Sequence, residues 1–150
     1  MKNIYITGFI GSDRLSLGKS IADEKGLEMI VLDEYIKEMD GRSVMRIIML
    51  MGEHEYRNKE YEALEQLSKQ EDLVVVCGDG VLFDEMCAEL MEQGEIVIAD
   101  GEKSAGELWL AAKDDDTVPY AFMQFSAEDE KKDLFFKLYE QRQPIYKKYL

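Results

Sequence analysis

Ile4-Tyr5-Ile6-Thr7-Gly8-Phe9-Ile10-Gly11-Ser12-Asp13-Arg14-Leu15-Ser16 is the stretch on which the fold turns. Ile4 to Thr7 reads as a strand, Gly8 to Ser12 as a glycine turn, and the residues that follow as the start of a helix. In that order the three aim the free amides of the turn and the positive end of the helix at one spot, the arrangement that cradles a phosphate. A phosphate-binding loop of the form G-x-x-x-x-G-K-[ST] placed on Gly8 puts its last three positions at Asp13, Arg14 and Leu15. None of them carries the residue the motif asks for. The frame is that of a nucleotide-binding turn, and the residues filling it do not suit a nucleotide.

Strand and helix alternate along the rest of the chain. Leu15, Leu17, Ile21 and Ala22 make a helical face that Lys25-Gly26 closes, and Leu27 to Leu32 reads as a buried strand, completing a β-α-β unit. From Asp33 to Gln70, Ile36, Met39, Val44, Ile47, Ile48 and Met51, then Tyr56, Tyr61, Leu64 and Leu67, recur at helical spacing, with breaks near Gly41 and Gly52. Leu73-Val74-Val75-Val76-Cys77 has no polar side, which predicts a central strand covered on both faces. It ends in Gly78-Asp79-Gly80. A helix over Asp84 to Gln93 and a strand over Glu95 to Ala99 follow. Beyond Asp100 come a short helical pattern at Leu108 to Ala112, an acidic turn at Lys113 to Asp116, a loop through Val118-Pro119-Tyr120, and a long helical pattern from Ala127 to Leu150. The expected class is α/β, a parallel sheet wrapped by helices in one domain over 1–150. Ligands are expected beyond the carboxyl ends of the strands, at Gly8, Asp33, Gly78 and Asp100.

Composition narrows the partners. With 32 acids against 18 bases and a formal charge of −14, nucleic acid and anionic membrane surfaces would be approached against a repulsive field. Two cysteines, Cys77 and Cys87, suggest neither a disulfide framework nor a metal cluster, and a reducing cytoplasm is the expected location. No basic start with a long apolar run and no membrane-length apolar segment is evident, so neither secretion nor membrane spanning is expected.

With the strand ends placed, the sequence resembles the shikimate kinase family, small P-loop kinases that phosphorylate a carboxylated cyclohexene triol. The resemblance covers most of the chain. It rests on Asn3 to Ser12, on Gly26-Leu27 with Leu32-Asp33-Glu34, on Gly52-Glu53 with Tyr56-Arg57 and Glu60, on Val74 to Gly80, and on Arg142-Gln143-Pro144-Ile145-Tyr146. It implies a P-loop kinase-like three-layer α/β/α fold with 104–125 as a lid-like segment. The family has a further strand after its long C-terminal helix, and no β-branched apolar run remains here to supply one. A four-stranded parallel sheet in the order 2-3-1-4 is therefore expected, with Glu95 to Ala99 at its edge, open to a homodimer or a partner protein.

On the acceptor side the resemblance implies that Asp33 bonds ring hydroxyls, with Gly78, Asp79 and Gly80 nearby, and that Arg57 and Arg142 grip a carboxylate. A guanidinium fork suits a carboxylate, and a carboxylate accepts from vicinal hydroxyls. Asp79 stands in the middle of the family's triple-glycine turn and puts a charge beside that pocket, where it can pair with Arg57 or Arg142.

On the donor side Gly8, Gly11, Ser12 and Ser16 keep the frame, but Arg14 stands for the P-loop lysine and Leu15 for the hydroxyl residue that holds magnesium. Val31 replaces the first acid of D-x-D, and Val118 the lid arginine. Asp13 replaces a glycine, and its charge at ~4 Å from a phosphate would cost about 4 kcal/mol at an effective dielectric near 20, roughly a thousandfold in affinity. As a helix-start residue Asp13 would instead satisfy the helix's orphan amides.

The reading favoured is therefore a shikimate kinase-like protein with impaired or absent ATP-dependent transfer, keeping a pocket for a small carboxylated polyol such as shikimate. No metal site and no cofactor are expected. The alternatives are an active small-molecule kinase using Arg14 as its catalytic cation beside Asp33, which would need MgATP, and a structural or regulatory subunit with a vestigial pocket. Gly18-Lys19-Ser20 looks like the end of a P-loop but falls inside the first helix, and His54, the only histidine, has no partner at useful spacing.

Overall fold

The computed structural model describes residues 1–150. Strand β1 (Ile4–Thr7) is buried along its whole length and pairs in parallel with β3 (Leu73–Val76) on one side and β4 (Glu95–Ile98) on the other. Strand β2 (Glu28–Val31) pairs in parallel with β3, so the sheet reads β2-β3-β1-β4, four strands in the expected order. β3 is wholly buried, as a strand without a polar side should be, while β4 lies at the sheet's edge with Glu95 exposed.

The alternation of side chains along a strand divides the core in two. Ile4, Ile6, Val74 and Val76 point to one face, where α1 (Arg14–Lys25) covers them with Ala22. Gly18 in that helix lets it settle on the sheet, since a Cβ there would lie 2.5 Å from Val76 Cγ2. Tyr5, Leu73, Val75 and Cys77 point to the opposite face, under Tyr56, Ala63, Leu64 and Leu67 of α4 (Glu53–Ser68) and Cys87 and Met91 of α5 (Glu85–Glu92). Helix–sheet–helix layering follows.

Helices α2 (Leu32–Asp40) and α3 (Val44–Met51) precede α4, with breaks at Gly41 and Gly52, whose φ values of 87° and 92° belong to the left-handed region that favours glycine. Beyond β4 come α6 (Ala105–Ala112), α7 (Ala121–Phe125) and α8 (Glu128–Lys147). α6 begins with a full capping box between Ser104 and Glu107.

Some boundaries differ from the expected ones. Leu32 opens α2 instead of closing β2, because Asp33 and Glu34 favour the first turn of a helix. Cys77 and Ala99 lie just past their strands yet extend the ladder, donating their N–H groups to Ile6 O and Thr7 O at 2.8 Å each. The last helix is shorter than expected at both ends, running from Glu128 to Lys147 instead of Ala127 to Leu150. Its interior Pro144 lacks an N–H. The short 3-10 turn Val81–Phe83 and helix α7 had no periodicity long enough to be read.

Candidate functional site

A cavity of about 740 Å³ opens beyond the carboxyl ends of β1, β2 and β3, between the glycine turn, α2 and residues 115–119. The turn is tightly built. A Cβ on Gly8 would lie 2.7 Å from Ser12 Oγ and 2.8 Å from Ala99 O, and Gly11 has φ +93°. Ser12 Oγ donates to Phe9 O at 2.6 Å, which turns the hydroxyl back into the loop.

Asp13 caps α1. Its Oδ1 accepts the Ser16 N–H at 3.1 Å, and its own N–H donates to Asp100 Oδ2 at 2.8 Å. Two carboxylates therefore stand at the positive end of the helix, where an anion would otherwise bind. Arg14 reaches away from the turn, its Nη1 donating to Cys77 O at 3.3 Å. Leu15, also in the cavity wall, is 54% exposed and has no atom that can ligate a metal. Val31 and Val118 line the same cavity and offer none either. No group of three or more His, Cys, Asp or Glu side chains is arranged to hold a metal ion. The motif positions do not fit a magnesium nucleotide: its phosphates would meet the Asp13 carboxylate, and Leu15 and Val31 offer its metal no side-chain oxygen.

The side of the cavity at Asp33 is better furnished with polar groups. Asp33, in the first turn of α2, accepts the Tyr56 hydroxyl at 2.9 Å through Oδ1. Burial pushes its carboxyl up from the ordinary value, opposed by the Tyr56 bond and by the charge of Arg14. Thr7 Oγ1 holds Gly78 O at 2.7 Å and so anchors the Gly78-Asp79-Gly80 turn to β1. A Cβ on Gly80 would collide with the Arg57 guanidinium.

Both arginines are engaged by acids of the chain. Arg57 donates from Nη1 to Glu60 Oε1 at 2.6 Å and from Nη2 to Glu53 Oε1 and the Tyr120 hydroxyl, each at 3.0 Å. Arg142 Nη1 pairs with Asp79 Oδ2, and Asp79 Oδ1 accepts the Tyr120 hydroxyl at 2.9 Å. The Tyr146 hydroxyl closes the cluster on Asp79 O. Of the two pairings open to Asp79, the fold makes the one with Arg142. Burial works against the charge of each arginine, yet Glu60 raises the Arg57 pKa and Asp79 that of Arg142. Glu60 itself is wholly buried with Oε2 unpartnered, and burial pushes its carboxyl up to about 7 despite Arg57.

The structure thus brings Asp13, Arg14, Leu15, Asp33, Gly78 and Asp79 to one cavity, with Arg57 and Arg142 just behind its wall. Sequence reasoning did not assign a role to Tyr56, Glu60, Tyr120 or Tyr146. The Arg57 to Glu60 spacing of i, i+3 on a helix could have flagged that pair. Tyr120 reaches the cluster from a loop, and no periodicity signals it. His54 is exposed on α4, and Gly18-Lys19-Ser20 lies within α1, away from the turn.

A family model described as "SKI: Shikimate kinase" matches residues 11–150. The shikimate kinase of Caldicellulosiruptor bescii is 33% identical over 151 residues, covering 98% of this chain and 82% of that protein. The shikimate kinase of Alkaliphilus oremlandii is 35% identical over 105 residues, 69% of this chain and 62% of that one. Among solved structures, shikimate kinase from Bacteroides thetaiotaomicron superposes with a TM-score of 0.84 at 25% identity, covering 99% of this chain and 83% of its own. Shikimate kinase from Acinetobacter baumannii in complex with shikimate gives 0.84 at 23% identity, covering 99% and 80%, a likeness of fold. The β2-β3-β1-β4 sheet, the glycine turn after β1 and a match over nearly the whole length agree, and the chain belongs to the shikimate kinase family.

Proposed function

We propose that this chain binds a small carboxylated polyol such as shikimate through a pocket centred on Asp33, and that its transfer of a phosphoryl group from MgATP is impaired or absent. The observation that carries this is Asp13, whose carboxylate caps α1 at the place a phosphate would need. Leu15 and Val31 support it by offering a metal no oxygen. On the acceptor side Asp33 supplies a half-buried carboxylate with one oxygen bonded to Tyr56, leaving the other for a ligand hydroxyl. The shikimate complex of the Acinetobacter relative makes a carboxylated cyclic polyol the first compound to test. Residues 104–125, which bring Val118 to the cavity and the Tyr120 hydroxyl to Asp79 in its wall, act as its lid in this reading. We place the protein in the cytoplasm, where free cysteines such as Cys77 and Cys87 stay reduced; no helix is long and apolar enough to cross a membrane.

A second reading rests on the relatives. All those named above are called shikimate kinase, which favours an active kinase using Arg14 as its cation, and nothing in the comparisons speaks of impairment. Titration calorimetry with MgATP separates the two. No binding below millimolar concentration is expected, while micromolar binding would overturn the first reading in favour of the second.

A further inference from the structure

Resting on the acceptor-pocket reading, we infer that Glu60 is a positioning residue that works by charge: as a carboxylated polyol settles beside Arg57 and Arg142, Glu60 takes up a proton from solvent. The Arg57 guanidinium then has one anion fewer within the chain and turns its charge to the ligand. Glu60 is wholly buried, and its Oε1 accepts Arg57 Nη1 at 2.6 Å while Oε2 has no partner. That oxygen lies just behind the cavity wall. A Cβ on Gly78, which lines the cavity, would stand 3.3 Å from Glu60 Oε2 and 2.8 Å from the Tyr56 hydroxyl.

The two arginines have donors to offer. Arg57 Nε, Arg142 Nε and Arg142 Nη2 are without partners, whereas their other nitrogens meet Glu60, Glu53, Tyr120 and Asp79. A ligand carboxylate held there adds a negative charge to a cluster in which Glu53, Glu60 and Asp79 already outnumber the two cations. Neutralising one carboxylate of the chain restores the balance. The titratable groups that face Glu60 are Tyr56 and Arg57 on its own helix, Asp33 of α2, Cys77 and Asp79 after β3, Cys87 of α5, and Tyr120 of the lid segment. Among the acids, Asp79 has both oxygens bonded, and Asp33 has one bonded to Tyr56 and stands in the cavity wall. Glu60 alone holds an oxygen cut off from both water and partners, so its charge is the costliest to keep. Burial already pushes its carboxyl up to about 7, and a second anion on Arg57 acts in the same direction. Protonation on Oε2 leaves Oε1 accepting from Arg57.

Shikimate titrated calorimetrically at pH 7.5 in HEPES and in Tris, buffers of unlike ionisation enthalpy, gives apparent heats whose difference counts protons. The parent should take up roughly half a proton or more per ligand, since Glu60 is mostly ionised at that pH before binding. At pH 5.5, where Glu60 is already protonated, the uptake should vanish, and Glu60→Gln should show none at either pH. The parent's affinity should also fall by about threefold or more from pH 6.5 to 8.5, while that of the variant stays level. If shikimate binds the parent with no uptake at pH 7.5, the inference fails and the acceptor reading stands. If the uptake persists in a folded Glu60→Gln, or is as large in the parent at pH 5.5, another group takes the proton and the assignment to Glu60 fails. If shikimate binds neither protein, the acceptor reading falls and the inference with it. Comparing the two pH values needs only the parent, so the test holds even where the substitution prevents folding.

Discussion

Glu60 is where burial and charge pull hardest against each other. One oxygen meets Arg57 and the other meets nothing, in a setting that also holds Asp33, Asp79 and Tyr56. Removal from water disfavours the carboxylate more than the guanidinium favours it, so the folded value of about 7 stands above the ordinary 4.5. The sign of the linkage follows. Between those values the folded chain holds a proton that the unfolded chain has released, so this group's contribution is fully present below pH 4.5 and is lost as pH rises toward 7. The span corresponds to on the order of 3 kcal/mol. Asp33, also raised by burial, acts in the same direction. The melting temperature should be lower at pH 8 than at pH 5.5, and Glu60→Gln, which keeps an oxygen for Arg57 but cannot titrate, should flatten the profile. Equal slopes for parent and variant in scanning calorimetry would show that Glu60 is not the group responsible.

Among the elements, α1 and β3 meet at Gly18. Replacing it by alanine improves helix propensity by about 1 kcal/mol, yet the new Cβ stands 2.5 Å from Val76 Cγ2 in a packed layer, and such overpacking costs about 1–3 kcal/mol. The second effect should prevail, giving Gly18→Ala a net loss of about 1 kcal/mol by urea denaturation; a gain would mean that α1 can lift from the sheet freely. The strands and the glycine turns were legible because each is announced by a local pattern: an unbroken apolar run such as Leu73 to Cys77, or a glycine closing a helix. The strand order followed from the resemblance, not from any local pattern. Asp33 and the turn from Gly8 to Ser16 were legible as positions, because chain order alone sets them at strand ends. What stayed illegible was the pairing. Whether Arg142 faces a ligand or Asp79 depends on where α8 lies over the Gly78-Asp79-Gly80 turn, and the Tyr120 hydroxyl joins that cluster from a loop with no period to read.

Over the whole molecule, on the reading proposed above, a donor site would be a joint product of α1, the end of β2 and the segment after α6, so rebuilding its motif tests how far those parts cooperate. Asp13→Gly removes the charge and the β-carbon at the start of α1, at a cost of only a few tenths of a kcal/mol in capping, since glycine is itself tolerated there. Arg14→Lys replaces a planar fork, now drawn to Cys77 O, by a compact ammonium suited to phosphate. Leu15→Ser returns a hydroxyl and Val31→Asp an acid to the cavity wall. These changes should act together more than additively, because each missing member of a clamp leaves the others little to hold. The quadruple variant should bind MgATP at least tenfold more tightly than the parent by calorimetry, about 1.4 kcal/mol. Phosphoryl transfer should still lag, since Val118 leaves the segment over the cavity without a cation there. Asp100 is the remaining obstacle, as its carboxylate would still accept the N–H of residue 13 at the mouth of the turn. If the variant folds as the parent does and MgATP binding does not improve, the fault lies in the backbone of the turn itself, and Gly8 to Leu15 no longer serves as a phosphate cradle in any side-chain context.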